Sequence, residues 1–538
     1  MKASLINRLW LTSSRPAARA FHDAARNVAE TQSRLLQKYL AHNRETVYFA
    51  DRAPHFPLST YDDYLPYIER IANGEQNILT REPVRMFELS SGSTAASKMI
   101  PYTATLKSEF GRSLSTWITD LFTHYADLAA GPAYWSISPL MEGRHQTRGG
   151  IPIGFEEDSA YLGALGTLIE SALAVPNLVK RISDMDTFRY VTLLFLLHCK
   201  DLRLISVWNP TFLTLLLAPL EKWWDALLKD ISEGTLASPA PMDEEIRRAL
   251  LKKLPRSTQR AKELALLRPD DYASIWPHLA LISCWTDGAS ESYVRDLEVR
   301  LPHVTIQPKG LLATEAFVSF PLTGKAGGAL AVTSHYFEFI TDSGDVRLAH
   351  QLDKGKKYSV VVTTGGGLYR YQLNDIVEVT DFYHQVPCIK FIGKADRVSD
   401  FFGEKLSEQF VANVLERFFK QHHLAPMFAM LTPGDTDTFH YTLYVELPTY
   451  STIELSTHLT TELDSALREN FHYDYCRNLG QIGEARIIPV TCGAETYIRA
   501  CQARGQKLGD IKSAVLQKTT GWGTWFESQS SPLAQEAR

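Results

Sequence analysis

The apolar residues of this 538-residue chain do not keep one period, and the changes of period exclude most architectures. Residues 1–75 carry helical spacing, clearest in LLQKYLAHN and YDDYLPYIERIANGEQ. After Pro83 a short strand is expected from Arg85 to Leu89, followed by the polar run SSGSTAASK. A helix is expected from about Thr103, because Leu106, Phe110, Leu114, Ile118 and Phe122 recur every four residues. Helical stretches around 160–200 and 210–230 then alternate with the strand-like runs LISVW (204–208) and LISCW (281–285). Such alternation is the mark of an α/β architecture with mixed sheets and helices.

Between about 300 and 395 the pattern turns strand-rich: ALAVT (329–333), YFEFI (336–340), YSVVVTT (358–364), IVEVT (376–380) and CIKFI (388–392). After GKAD (393–396) it changes again. A helix near 404–421, the strands FAML and HYTLYVEL, a helix near 454–469, the strand EARIIPV and a helix near 494–504 make a smaller α+β domain. A chain this long exceeds what one core usually organises. The expected division is a large N-terminal domain, 1–393, and a smaller C-terminal domain, 394–538.

Composition removes several classes of function. The formal net charge is -5, whereas a nucleic-acid binder more often carries a basic excess. Phosphate-bearing substrates would therefore need local, positioned donors. The six cysteines form no CxxC pair and there is no HExxH, so a structural zinc site is not expected. Thinly spread thiols suit a reducing cytoplasm. His422 and His423 read as a solvated helix end, and His472 with Cys476 lacks further ligands. The N-terminal MKASLINRLWLTSSRPAARAFHDAARN has its apolar run broken by Arg8 and reads as an amphipathic first helix rather than a leader. The apolar run 212–220 is too short to span a bilayer. A soluble cytoplasmic protein with neither a nucleic-acid nor a membrane partner is expected; nothing in the chain specifies an oligomeric state.

Four stretches can carry chemistry. Ser90 to Lys98 (SSGSTAASK) joins small and hydroxylic residues whose backbone N–H groups can cradle an anion, with Lys98 four residues beyond. It is not the GxxxxGK[ST] loop, and a polar surface loop would look similar. Gly367 to Asp375 (GLYRYQLND) lies between strand candidates, with Asn374 suited to a positive-φ turn. An aspartate there offers two acceptors to a pair of ribose hydroxyls; otherwise it is a solvated hairpin Asp. GKADR (393–397) followed by Gly403, Glu404 and Lys405 reads as a hinge or a plain linker. Thr314 and Glu315 could serve phosphate and a magnesium ion.

Together and in this order, these residues resemble the adenylate-forming superfamily of acyl-CoA ligases, peptide-synthetase adenylation domains and luciferases. The closer resemblance is to the acyl acid-amido synthetase family named Gretchen-Hagen-three in plants, which has bacterial members. It is carried by SSGSTAASKMIPYT (90–103), ISVWNPTFL (205–213), YFEF (336–339), VVTTGGGLYRYQLND (361–375) and VTDFYHQVPCIKFIG (379–393). It spans about residues 35 to 515. Two departures stand out: Asn374 replaces the family's usual Gly, and Ala95 a glycine of the wider superfamily's loop. Asn tolerates positive φ. The segment GKADRVSDFFGEK is more like the wider superfamily than the plant enzymes.

The resemblance implies that a small carboxylic acid is activated by ATP as an acyl-adenylate and passed to an amine, in particular that of an amino acid. It further implies that Ser90, Ser91, Gly92, Ser93 and Thr94 cradle phosphate with Lys98, and that Thr314 lies near the phosphates. Glu315 would hold Mg²⁺, Asp375 the ribose, and Tyr371 would pack beside the nucleotide. Lys405 and, less directly, Lys512 are the implied cations of the reaction. Two other readings stand beside this one: a ligase passing the acyl group to CoA or a carrier protein, and a non-catalytic nucleotide-binding protein.

Overall fold

The computed structural model describes residues 2–89, 98–136, 146–154, 166–287, 290–394, 398–434, 439–448, 457–506 and 511–526. The chain divides into two compact units, one of Met1–Thr286 with Asp296–Phe391, the other of Asp287–Arg295 with Ile392–Arg538.

The first unit is built on two larger sheets and a hairpin. Strands β1 (Met86–Leu89) and β2 (Met99–Tyr102) pair antiparallel, with Leu89 opposite Met99. The hydroxyl-rich run therefore links two strands, not a strand and a helix as its sequence suggests. The reason is that Met99 to Tyr102 completes a ladder with β1 before Thr103 caps the helix Ala104–His124 by accepting from the Leu106 N–H. The five apolar residues expected on one face of that helix are all buried.

A parallel sheet follows in the order β3 (Ala133–Trp135), β4 (Leu204–Ser206), β5 (Leu281–Cys284) and β6 (Thr305–Pro308). Its strands are short apolar runs because helices cover both faces. On one face Tyr134, Ile205, Ile282 and Ile306 lie in register against Leu193, Leu197 and Trp276. On the other, Leu204 and Leu281 join the core containing Trp117 of the helix Ala104–His124. Register alternation brings Trp135, Ser206, Ser283 and Gln307 to that second face, at the C-terminal ends of the strands.

A seven-stranded sheet completes this unit. Its strands are β7 (Ser319–Pro321), β8 (Gly328–Leu330), β9 (Tyr336–Ile340), β10 (Val346–Leu348), β11 (Lys357–Thr363), β12 (Tyr371–Tyr383) and β13 (Val386–Lys394), in the order β10-β9-β11-β12-β13-β8-β7. Two expectations are corrected here. The run 329–333 leaves the sheet after Leu330, and 371–375 is not a turn between strands but the start of one long strand. Asn374 does have positive φ, +60°. The pairing shifts from Gln372 opposite Val361 to Ile376 opposite Ser359, so the extra residues form a bulge.

The first helix, Lys2–Ala24, packs Trp10 against Phe122 and Trp135, and Phe21 against Phe320, as its amphipathic spacing predicts. No helix among the described residues is long and apolar enough to cross a membrane.

The second unit holds β14 (Val398–Ser399) paired with β15 (Leu406–Ser407), and the sheet β16 (Phe428–Pro433), β17 (Tyr441–Glu446) and β18 (Arg486–Pro489). β16 runs antiparallel and β18 parallel to β17. Val411, Leu415, Leu443, Leu463 and Tyr473 meet in its own core. His422 is not the solvated helix end its sequence suggests: its Nε2 lies 2.6 Å from Glu462 and its ring packs on Phe418.

Candidate active site

Glu315 sits in the short link between β6 and β7, almost fully buried, with its Oε1 receiving the Tyr371 hydroxyl at 3.2 Å. Burial, and after it the charge of Glu315, pushes the Tyr371 phenol well above its ordinary range, so the hydroxyl remains a donor. Thr314 is reached from the other side: the Tyr102 hydroxyl at the end of β2 donates to its carbonyl at 2.6 Å. Leu312 and Phe317 pack with Ile100, Tyr102 and Phe110, so the base of the hydroxyl-rich run abuts the segment carrying Thr314 and Glu315.

Tyr61 ties the same corner together. Its hydroxyl accepts the Met99 N–H at 2.9 Å, and its ring lies 5.5 Å from the Lys98 ammonium. Burial raises its pKa, and the Glu315 charge adds to the effect. Lys98, Thr314, Glu315 and Tyr371 thus form one neighbourhood, although 273 positions separate the first from the last (371 minus 98). Ser90, Ser91, Gly92, Ser93 and Thr94 lie outside the described residues.

Asp375 lies in the bulge of the strand that begins with Tyr371, and only 3% of it is exposed, which excludes a solvated hairpin aspartate. The stretch is gripped from the N-terminal helices. The Tyr64 hydroxyl donates to the Tyr369 carbonyl at 2.8 Å and accepts its N–H at 2.7 Å. Ser59 exchanges backbone bonds with Arg370 and Gln372. Tyr48, Tyr64, Phe56 and Tyr369 stack beside it.

A buried network that the sequence did not reveal holds the glycine-rich turn before Asp375. Glu109 accepts the Tyr39 hydroxyl at 2.6 Å and the Gly365 N–H at 3.0 Å, and its Oε2 lies 3.1 Å from His335 Nδ1. The Phe317 N–H points at His335 Nε2 at 3.1 Å. A backbone N–H only donates, so Nε2 accepts and the ring proton lies on Nδ1, facing the carboxylate. The pair thereby bonds the Glu315 segment, the turn at Gly365 and the helix Ala104–His124 to one another. A Cβ at Gly365 would come 2.5 Å from Glu109 Oε1, which is why glycine stands there. Residues 70 to 256 positions apart leave no local signature for such a network.

The second unit carries Lys405 and Lys512, both exposed. Lys405 has φ +43° and follows Gly403 at +99°. Glu404 between them is fully buried, accepting the Phe401 and Phe402 N–H groups and the Tyr441 hydroxyl. That buried anchor keeps the loop in a backbone shape costly for a non-glycine residue and leaves the lysine outside. The Lys512 carbonyl accepts the Tyr497 hydroxyl at 3.0 Å.

The profile of the GH3 family N-terminal domain matches residues 17–306, that of the central domain 328–394, and that of the C-terminal domain 409–520. The chain belongs to the GH3 family. Among GH3 relatives, the indole-3-acetic acid-amido synthetase GH3.2 of Arabidopsis thaliana is 24% identical over 90% of this chain and 96% of its own. The jasmonoyl-L-amino acid synthetase JAR6 of Nicotiana attenuata is also 24% identical, over 87% of each chain. A solved structure described as AtGH3.15 acyl acid amido synthetase in complex with 2,4-DB superposes with a TM-score of 0.82, at 21% identity and 96% coverage of both chains. The GH3 fold, with a large N-terminal and a smaller C-terminal part, is the one expected from the sequence.

Proposed function

We propose that this GH3 protein is an ATP-dependent acyl acid-amido synthetase, joining a small carboxylic acid to the amine of an amino acid. The observation that carries the reading is the Tyr371–Glu315 hydrogen bond, together with the contact of β2 on Thr314. They draw three separated stretches of chain into one corner, as assembly around a nucleotide requires.

A carboxylate is a poor electrophile, since its charge is delocalised and its leaving group would be oxide. In the proposed reaction its oxygen attacks the α-phosphorus of ATP, and the bond to the β-phosphate oxygen breaks, releasing pyrophosphate. The resulting acyl-adenylate is a mixed anhydride. The amine nitrogen adds to its carbonyl, loses a proton and expels AMP, leaving an amide.

The roles proposed for the chain's own residues are positioning and the stabilisation of developing charge, which usually supplies most of the rate enhancement in such chemistry. Ser90 to Thr94, with Lys98, cradle the phosphates, and Thr314 lies beside them. Asp375 accepts from the ribose hydroxyls, and Tyr371 orients Glu315. The donor set suits a hard cation, because Glu315 is a carboxylate with one oxygen not bound by Tyr371. A magnesium ion held there would neutralise charge on the phosphates. Lys405 and Lys512, on residues 394–538 as the mobile unit, are proposed as cations acting on the phosphates and the adenylate.

The test is pyrophosphate release from ATP across aryl, indolyl and fatty acids, with products identified by mass in the presence of an amino-acid mixture or CoA. Acid-dependent release and an amide product are expected. A thioester would move the chain to the CoA ligases, and no acid-dependent release would end the reading.

A further inference from the structure

The first helix, Lys2–Ala24, turns to solvent an outer face that neither the core nor the proposed chemistry uses. Its inner face is held: Trp10 and Phe21 are buried, and the Asn7 side chain donates to the Gly131 carbonyl at 2.9 Å. Outside, Lys2, Arg8, Arg15 and Arg19 are all exposed. Arg8, Arg15 and Arg19 recur at helical spacing and fall in one row, about 16 Å long. Leu5, Leu9, Pro16 and Ala20 form a second row beside it, with Leu5 63% and Leu9 48% exposed.

None of the four cations pairs with a carboxylate among the described residues, and Asp23 is the one acid of the helix. Arg26 just beyond the helix and Asp127 on the adjoining turn Ala126–Ala130 are exposed as well. Five cations therefore face two carboxylates here, in a chain whose formal net charge is -5. At about 0.15 M salt, charges more than about 8 Å away are largely screened, so this local surplus governs what approaches.

Exposed leucines gain by leaving water, and an unpaired row of cations attracts anions. A partner that satisfies both offers many anionic groups above an apolar layer, all within the reach of one side chain. The headgroup surface of an anionic bilayer is such a partner. Arginine stems are long enough to hold their charge at the phosphates while Leu5 and Leu9 enter the acyl boundary. A nucleic acid would meet the arginines and gain nothing from the leucines.

We propose that the outer face of the first helix docks on anionic lipid bilayers, lying flat on the surface without crossing it. Arg8, which breaks the apolar run and excludes a leader or a span, is then a contact in its own right, because a surface helix needs cations and leucines on one face. Lys2, Leu5, Arg8, Leu9 and Arg15 precede residue 17, where the GH3 match begins. The surface is thus independent of the family and of the ligase reading.

The experiment is co-sedimentation of the full chain with vesicles of phosphatidylcholine, alone or mixed with phosphatidylglycerol, at about 0.15 M salt. Binding to the mixed vesicles and not to the neutral ones is expected. The triple variant Arg8→Gln, Arg15→Gln, Arg19→Gln should lower the partition coefficient on the order of 100-fold, since each cation near such a surface is worth roughly fivefold. The double variant Leu5→Ser, Leu9→Ser should lower it roughly tenfold. Both should keep the wild-type melting temperature, because the altered side chains stand outside the core. The wild type itself should leave the vesicles as salt rises. Binding that is equal on neutral vesicles, absent from both kinds, or unchanged in the arginine variant overturns the proposal. A leucine variant that binds as the wild type does would also overturn it, and competition by duplex DNA would then name a nucleic acid as the partner.

Discussion

Glu315 and Tyr371 share one hydrogen bond, and the two ends of that bond should fail differently when cut. Glu315→Gln keeps the shape and the acceptor but removes the charge proposed to face the cation. Its kcat for acid-dependent pyrophosphate release should fall on the order of 100-fold, the loss typical of a group aimed at transition-state charge. Tyr371→Phe removes only the orienting donor, worth about 1 kcal/mol, so a loss of roughly fivefold with stability lowered by a similar amount is expected. Equal losses in both variants would mean that Glu315 acts only as the tyrosine's structural partner. Asp375 was legible in the sequence as an acid beside a positive-φ residue. Its burial was not, because the stretch before it is held by Ser59, bridged to Tyr371, and by Tyr64 of the helix Tyr61–Ala72, more than 300 positions earlier.

Among the elements, β12 shows how a local conformation can be read correctly and its setting missed. Asn374 does adopt positive φ, yet the strand continues through it as a bulge, since pairing with β11 resumes at Ile376. Asn374→Gly should leave the unfolding free energy nearly unchanged, whereas Asn374→Val should cost about 1–2 kcal/mol, measured by urea denaturation. The helix Phe471–Asn478 escaped the sequence reading for a related reason. Only Tyr473 and Cys476 are buried in it, too few to set a period, and Asn470 caps it locally. The Glu109–His335 pair joins three elements at once. Glu109→Ala would strip the acceptor from Tyr39 and Gly365 and the facing carboxylate from His335, and should cost about 3 kcal/mol or more by the same denaturation. A cost under about 1 kcal/mol would show that those donors find other partners.

On the scale of the whole molecule, the second unit has its own core but borrows Asp287–Arg295 from a distant part of the chain. Tyr293 in that segment bonds Ser513 and is held well above its ordinary range, by burial first and then by Glu446. Calorimetry should therefore resolve two transitions, and Tyr293→Ala should lower the one belonging to the second unit. A single transition shifted as a whole would mean that the two units unfold together. The sequence by itself determined the class of fold, the family and the motifs, because apolar period and short polar runs are properties of neighbouring residues. Tertiary structure alone decided that Tyr371 meets Glu315 and that Glu109 bonds the Gly365 turn. Those contacts join residues dozens to hundreds of positions apart, and only the folded register of strands and helices brings them within hydrogen-bonding distance.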